Sequence, residues 1–226
     1  MTGSSEQGLR AGLNLLRLRL TEGQITQLLD YQAMIEKWTK VYNLTAVRDP
    51  AEMLTHHLLD SLAVVAPLQR QLAVLGGKPG RRRLLDVGSG AGLPGIVVAI
   101  CCPDISVTCV DAVAKKTAFI RQVALALQLA GLTSLHARVE TLLPPAVLPF
   151  DVVCSRAFAS LADFTQWSGS ALAEHGIWMA MKGREPLDEI AALPALAEVF
   201  HVEHLDIPAL NAERCIVWMR KKPGRS

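Results

Sequence analysis

No apolar run in this chain is long enough to cross a membrane. The best candidate, Leu93 to Cys102, falls well short of the roughly 18 residues that a span needs. The N-terminal stretch breaks up its apolar residues with Arg10, Arg17 and Arg19. It therefore lacks the unbroken apolar segment and small-residue cleavage site of a secretory leader, and a cytoplasmic protein without membrane contact is expected. Cysteine is sparse: Cys101, Cys102, Cys109, Cys154 and Cys215, an odd number with no C-x-x-C pair. That pattern argues against a disulfide framework or a zinc site and for reduced, buried thiols. No metal ligand set is expected elsewhere. His56 and His57 are adjacent, so on a helix they face different directions, and packing or capping roles suit them better than ligation. No fixed-period repeat runs through the sequence.

Half of the 226 residues are hydrophobic and 19% are charged, enough to build a core and too apolar for a disordered chain. The length fits one domain, or one with an appendage. A net charge of +2 neither requires nor excludes a nucleic-acid partner. Basic residues do cluster, at Arg81–Arg83, at Lys115–Lys116 with Arg121, at Lys182 with Arg184, and at Arg220–Lys222. Such clusters can contact phosphate, and equally can be solvated surface.

Residues 1–80 read as a helical extension. Thr21-Glu22-Gly23-Gln24 has the spacing of a capping box. Ile25, Leu28, Leu29, Ile35, Trp38 and Tyr42 then recur on one helical face. After a break at residues 43–48, Asp49 and Pro50 suit the cap and first position of another helix, with Met53, Leu54, Leu58, Leu62 and Val65 as its apolar face. Gly76-Gly77-Lys78-Pro79-Gly80 is a linker signal.

Residues 81–226 read differently. Strands are expected at Leu84–Val87, Ile105–Val110, Ser134–Val139, Asp151–Ser155, Gly176–Met181, Val199–Ile207 and Arg214–Arg220. Helices are expected from Pro94 to about Cys102, from Ala114 to Ala130 ahead of Gly131, and after Ser160 and Glu185. Alternating strands and helices imply a mostly parallel sheet covered on both faces. The last two strands are joined by a loop alone, which predicts an antiparallel end to the sheet.

The chemistry sits in Asp86-Val87-Gly88-Ser89-Gly90-Ala91-Gly92-Leu93-Pro94-Gly95. Glycines let the backbone turn tightly and approach a ligand, and the helix that follows offers free N–H groups. A literal G-x-G-x-x-G exists at Gly90, Gly92 and Gly95, so a nicotinamide-dependent oxidoreductase competes. The register disfavours it: the strand ends at Val87, the count from Gly88 gives G-x-G-x-G, and Leu93 falls where a third dinucleotide glycine belongs. No G-K-[ST] follows, which removes a Walker A loop. Asp86 near the strand end suits a cation better than a pyrophosphate. Asp111 ends the next strand, where an acid can accept from ribose hydroxyls, and Glu140 ends the strand after that. Three acids after three successive strands suit S-adenosylmethionine, an adenosine with a sulfonium.

These residues resemble a specific family. Asn43-Leu44-Thr45-Ala46, His56-His57-Leu58-Leu59-Asp60-Ser61, the glycine block, Ser155-Arg156-Ala157-Phe158-Ala159 and Met181-Lys182-Gly183 occur in the order found in the RsmG (GidB) family of bacterial 16S rRNA guanine-N7 methyltransferases. The resemblance implies a Rossmann-like methyltransferase fold carrying the N-terminal extension, with S-adenosylmethionine as methyl donor. The implied acceptor is one guanine (position 527 of the RNA) in the decoding-region loop of 16S rRNA. The implied partner is that RNA, within the small ribosomal subunit or an assembly intermediate. A monomer is expected, although no residue pattern fixes the oligomeric state. The resemblance carries cofactor contacts to Gly88, Leu93, Val139, Glu140 and Arg156, and Asp111 joins them on the ribose argument.

Guanine N7 has a lone pair and no proton, so positioning can do the work without a general base. Consistent with this, the [DN]-P-P-[YF] motif of exocyclic amino methylation is absent, and Ser155-Arg156-Ala157-Phe158 stands in its place. Arg156 and Lys182 are the positioning candidates. Arg156 reads either as a group at the edge of the cofactor and RNA sites or as a structural partner of a nearby acid. Lys182 reads as a phosphate contact or a surface lysine. Lys115, Lys116, Arg121 and Arg138 are weaker phosphate candidates. Phe158 could stack on the extruded base or pack in the core, and Trp38, Trp167, Trp178 and Trp218 read as core or partly buried. A non-catalytic RNA-binding protein with a relict donor pocket is the second rival.

Overall fold

The computed structural model describes residues 2–76, 80–145 and 147–222. Positions 77–79 of the linker signal lie outside them. Four helical pieces precede the sheet: α1 (Thr2–Leu15), α2 (Glu22–Tyr42), and a composite of α3 (Pro50–Met53), a π turn (Leu54–Leu59) and α4 (Asp60–Leu62), followed by α5 (Val65–Val74). The expected capping box closes the start of α2: Thr21 Oγ1 accepts from the Gln24 N–H, and the Gln24 side chain receives the Thr21 N–H. Asp49 caps α3 by accepting from the Ala51 and Glu52 N–H groups, with Pro50 at the first position.

The rest forms β1 (Arg83–Val87), α6 (Gly95–Cys101), β2 (Ser106–Asp111), α7 (Ala114–Ala126), β3 (Leu132–His136), β4 (Phe150–Arg156), α8 (Leu161–Ser168), β5 (Leu172–Lys182), α9 (Leu187–Ala191), β6 (Ala197–His204) and β7 (Cys215–Lys221). The strand order is β3-β2-β1-β4-β5-β7-β6. The first five are parallel, and β7 runs antiparallel between β5 and β6, as the missing helix between the last strands required. This is the expected Rossmann-like α/β architecture. Its order reverses between β1 and β4, and ligands of such sheets bind beyond the strand ends at that crevice.

Alternate strand residues fill two cores. Leu84, Cys109, Cys154 and Met179 face one, with α6 and α7. Leu85, Val110, Val153 and Trp178 face the other, with α8. The first core is continuous with the helical extension: Leu28, Tyr31 and Ile35 of α2 join Ile96 and Phe119 in one cluster. Polar side chains of α2 also serve carbonyls at two helix ends. Gln24 Nε2 donates to Ile100 O and Gln27 Nε2 to Leu127 O, carbonyls with no partner inside their own helices. All five cysteines are free and buried, as expected.

Several boundaries differ from the sequence reading; β5 starts four residues before the expected Gly176, and β6 stops at His204 instead of Ile207. Helix α7 ends at Ala126, four residues before the expected Ala130. Gln128 adopts a left-handed φ of 54°, its N–H reaching Leu125 O while the Leu129 N–H reaches Ala124 O, a complete Schellman cap. Strand β3 runs two residues earlier than expected and stops at His136, so Val139 and Glu140 lie in a separate 3-10 turn, Val139–Thr141. The π turn had no sequence signal.

Candidate functional site: a two-lobed cleft at the glycine turn

Beyond β1 the chain turns back at Gly88, whose N–H donates to Val110 O at 2.9 Å. Gly88 has φ +64°, and a Cβ there would sit 2.3 Å from the Phe158 ring. Glycine is required on both counts. Asp111 fixes the next part of the turn: Oδ2 accepts the Gly90 N–H at 2.9 Å, and Oδ1 accepts the Val113 N–H at 2.9 Å. Lys116 stands 3.8 Å from the same carboxylate.

Asp86 lies behind the turn and borders no part of the cleft. It is fully buried, and Oδ2 accepts the Gly95 N–H at 2.9 Å. Burial pushes its carboxyl up to about 7 against the opposing pull of that N–H and of the Arg156 charge. The sequence reading had set this acid against a cationic ligand. The structure makes it a brace for the start of α6. Gly95 permits the close approach, since a Cβ would stand 2.6 Å from Cys109 Sγ and 2.8 Å from Asp86 Oδ2.

Two cavities meet at Gly88. The larger, about 510 Å³, is bordered by the turn from Gly88 to Ala91 and Leu93, by Arg156 and Ala157 after β4, by Met181 to Gly183 after β5, by Arg214 before β7, and by Leu44, Thr45, His56, His57 and Asp60 from the helical extension. The smaller, about 260 Å³, is lined by Val110 to Ala112, Ala137 to Glu140, Phe158 and Trp167.

Gly88, Leu93, Arg156 and Lys182 therefore share the larger cavity, and Gly88, Asp111, Val139 and Glu140 the smaller. Arg156 meets both of its readings: it borders the cavity, and its Nη1 donates to Asp60 Oδ2 at 2.9 Å. Lys182 also borders the cavity while donating to Ala159 O at 3.0 Å and to Glu189 Oε2 at 2.8 Å. Phe158 packs edge-on against Phe164 and Trp167, over Gly88. Trp178 and Trp218 are fully buried, whereas Trp167 is 37% exposed at the smaller cavity.

His56 and His57, both on the π turn, border the larger cavity. His57 is buried, with Nε2 2.8 Å from Thr45 Oγ1. Burial, and then the charge of Arg156, push its imidazole below the ordinary range. Asp60, Arg214 and Trp167 are the lining residues that sequence reasoning passed over. Asp60 lay inside a motif with no role attached, and Arg214 read only as the start of a strand.

The lining suits S-adenosylmethionine. The smaller cavity combines apolar and aromatic walls with the exposed carboxylate of Glu140, as an adenosine with ribose hydroxyls requires, and the glycine turn leads from it to the larger cavity. Among the described residues no group of His, Cys, Asp and Glu has the arrangement of a metal site, and no helix is long and apolar enough to cross a membrane.

Comparison with known proteins agrees with this architecture. Among solved structures, a MtNAS variant in complex with S-adenosylmethionine superposes with a TM-score of 0.56 at 17% identity, covering 86% of this chain and 74% of its own. TrmN from Thermus thermophilus gives a TM-score of 0.54 at 20% identity, over 75% of this chain and 53% of its own. At these identities the likeness is one of fold. In sequence, Ribosomal RNA small subunit methyltransferase G of Polaromonas sp. strain JS666 is 69% identical over 217 residues, 96% of this chain and 94% of the relative. Its counterpart in Polaromonas naphthalenivorans is 65% identical over 221 residues, 96% and 98% of the two chains. The GidB family model, rRNA small subunit methyltransferase G, matches residues 24–217. With the glycine turn, the two-lobed cleft and these matches in agreement, the chain belongs to the rRNA small subunit methyltransferase G family.

Proposed function

We propose that this protein transfers the methyl group of S-adenosylmethionine to N7 of one guanine in 16S rRNA. The observation that carries the reading is the meeting of the two cavities at Gly88, one fitted to adenosine and the other lined by Arg156, Lys182 and Arg214. When bound, the donor supplies a methyl carbon made electrophilic by its sulfonium.

The chain's own residues bind and orient. Val139, Phe158 and Trp167 form the walls around the adenine, and Glu140 accepts from the ribose. Asp111 spends two lone pairs on backbone N–H groups and keeps others for a hydroxyl, so it holds the turn and the ribose together. Gly88 and Leu93 border the passage to the larger cavity. There Arg156 stands at the edge of the donor and RNA sites, and Lys182 faces the RNA. No side chain needs to remove a proton, because N7 carries none. Holding N7 in line with the methyl carbon is the main task.

Residues 1–80 act as an appendage to the methyltransferase domain at 81–226 and contribute one wall of the larger cavity through Thr45, His57 and Asp60. We read the working form as a cytoplasmic monomer acting on the small subunit or an assembly intermediate.

The test is transfer of label from S-adenosylmethionine to 16S rRNA, offered free and inside small subunits that lack the modification. Label mapped to a single guanine N7 is the expected result. Donor binding without transfer to either RNA would overturn the rRNA assignment. The Arg156→Ala variant is expected to lose at least about tenfold in kcat/KM for RNA, and wild-type turnover would remove Arg156 from the site.

A further inference from the structure

The π turn leaves one backbone acceptor outside the ladder an α-helix would make. The Asp60 N–H bonds to Thr55 O and His57 O and skips His56 O, the i−4 partner. That carbonyl accepts from Arg156 Nη1 at 2.9 Å instead. The same guanidinium reaches Asp60 Oδ2, and Arg214 Nε donates to Asp60 Oδ1 at 2.9 Å. Arg156 ends β4 and Arg214 precedes β7, strands separated in the sheet by β5. One carboxylate from the helical extension thus ties together two ends of the sheet. Asp60 is nearly inaccessible, at 3%, while the arginines keep 21% and 24% of their side chains exposed. Arg156 Nε and Nη2 and Arg214 Nη2 donate to no protein group among the described residues. All three side chains border the larger cavity.

We infer that Asp60 is a positioning residue for RNA recognition: it fixes Arg156 and Arg214 so that their remaining N–H donors meet an oxygen acceptor of the RNA in the larger cavity. The inference rests on the rRNA reading above. Two arginines held beforehand lose less side-chain freedom on binding than two free ones. One carboxylate between them also offsets their mutual repulsion and lowers the positive potential where the methylated purine becomes cationic.

The test has an arm that does not depend on turnover. In arginine side-chain NMR of the full chain, the Arg214 Nε–H is expected to exchange slowly in the wild type and rapidly in Asp60→Asn. Rapid exchange in the wild type would overturn the inference. In methyl transfer to unmodified small subunits, Asp60→Asn and Arg214→Lys are each expected to lose at least about tenfold in kcat/KM for RNA, while the donor affinity of Arg214→Lys, which leaves Arg156 on Asp60, stays within about threefold by calorimetry. Unchanged transfer, or a parallel loss of donor affinity in Arg214→Lys, would overturn it.

Arg214→Lys keeps the charge but loses the Nε–H. It is expected to repeat the result, and so covers failure of Asp60→Asn to fold. In an Arg156→Ala/Arg214→Ala background, Asp60→Asn should add nothing; an additive loss would assign Asp60 a structural role. A smaller salt dependence of RNA binding in the arginine variants identifies the acceptor as phosphate, and an unchanged slope identifies a base carbonyl. A wild type that binds donor but methylates no RNA would overturn the rRNA reading, leaving the exchange arm to judge the Asp60 tie.

Discussion

Two buried carboxylates stand near the glycine turn, and their partners differ in kind. Asp60 meets two guanidiniums at 2.9 Å each and borders the cleft. Asp86 meets one backbone N–H at 2.9 Å, with Cys109 Sγ at 4.0 Å, and its Oδ1 has no hydrogen-bond partner among the described residues. A carboxylate buried against cations forms a charged cluster that can organise a ligand space. A carboxylate buried among thiols and apolar side chains instead holds its proton to a higher pH and serves as an internal brace. Similar burial therefore gives one acid a place in recognition and the other a place in folding.

The largest expected effect tests the Asp86 side of this contrast through pH. Its carboxyl titrates near 7 in the folded chain, against an ordinary 3.8. Between those values the folded protein keeps a proton that the unfolded chain has released. Wild-type stability therefore falls as pH rises through that window, and the penalty is complete above about 7. Asp86→Asn carries no such proton. Denaturant unfolding at pH 4 and pH 8 should show the variant gaining on the wild type by up to about 4 kcal/mol at the higher pH. Parallel profiles would mean that burial does not raise the Asp86 carboxyl.

Next comes removal of the Asp60 carboxylate. Asp60→Ala leaves two guanidiniums without their common partner. Because both remain partly exposed, the loss should lie at the lower end for a broken buried pair, about 3 kcal/mol. Urea unfolding measures it, and a loss below about 1 kcal/mol would reduce the cluster to a surface ion pair. A smaller effect is expected at Gly95. Its absent Cβ would fall 2.8 Å from Asp86 Oδ2 and 2.6 Å from Cys109 Sγ, so Gly95→Ala must displace the start of α6 and stretch the N–H bond to Asp86. We expect a cost of about 2 kcal/mol, with the fall in stability on raising the pH extending to higher pH, because the bond that favours the ionised Asp86 carboxyl weakens. Wild-type stability in this variant would show that the brace is not tight.

The contrast also explains which parts of the site were legible in sequence. The Asp86 side is local. Strand, turn, Gly95 and helix are contiguous, and backbone conformation at Gly88 leaves few residue choices, so motif and geometry coincide. The same holds for the cap at Thr21 and the stop at Asp49-Pro50. The Asp60 side is assembled by topology. Asp60 and Arg214 lie 154 positions apart, and nothing near either residue announces the other. Its geometry also depends on the π turn, which leaves His56 O free to accept from Arg156. The end of α7 was misread for a related reason: Gly131 looked like the terminator, but Gln128 had already taken the left-handed position that glycine usually fills. Trp167, read as core or partly buried, stands 37% exposed at the cleft.

Tyr31 gives the finest test, because it links the two regions. It is fully buried on α2, and its hydroxyl donates to Ala91 O at 2.7 Å, bracing the glycine turn from the side of the helical extension as Asp86 does from the strand. Tyr31→Phe keeps the ring and its stacking on Phe119, 6.4 Å between centroids, and removes only the donor. A buried carbonyl losing its partner should cost about 1 kcal/mol of stability. Ala91 also borders the larger cavity, so a loosened turn should weaken donor binding by about twofold, within the tenth-to-half kcal/mol scale that calorimetry resolves. If stability falls while donor affinity holds, the contacts from the sheet, at Asp86 and Asp111, set the turn's shape, and the helical extension acts on the cleft only through Asp60 and its neighbours. If both hold, the Tyr31 hydroxyl is incidental and the link between the two regions is purely apolar.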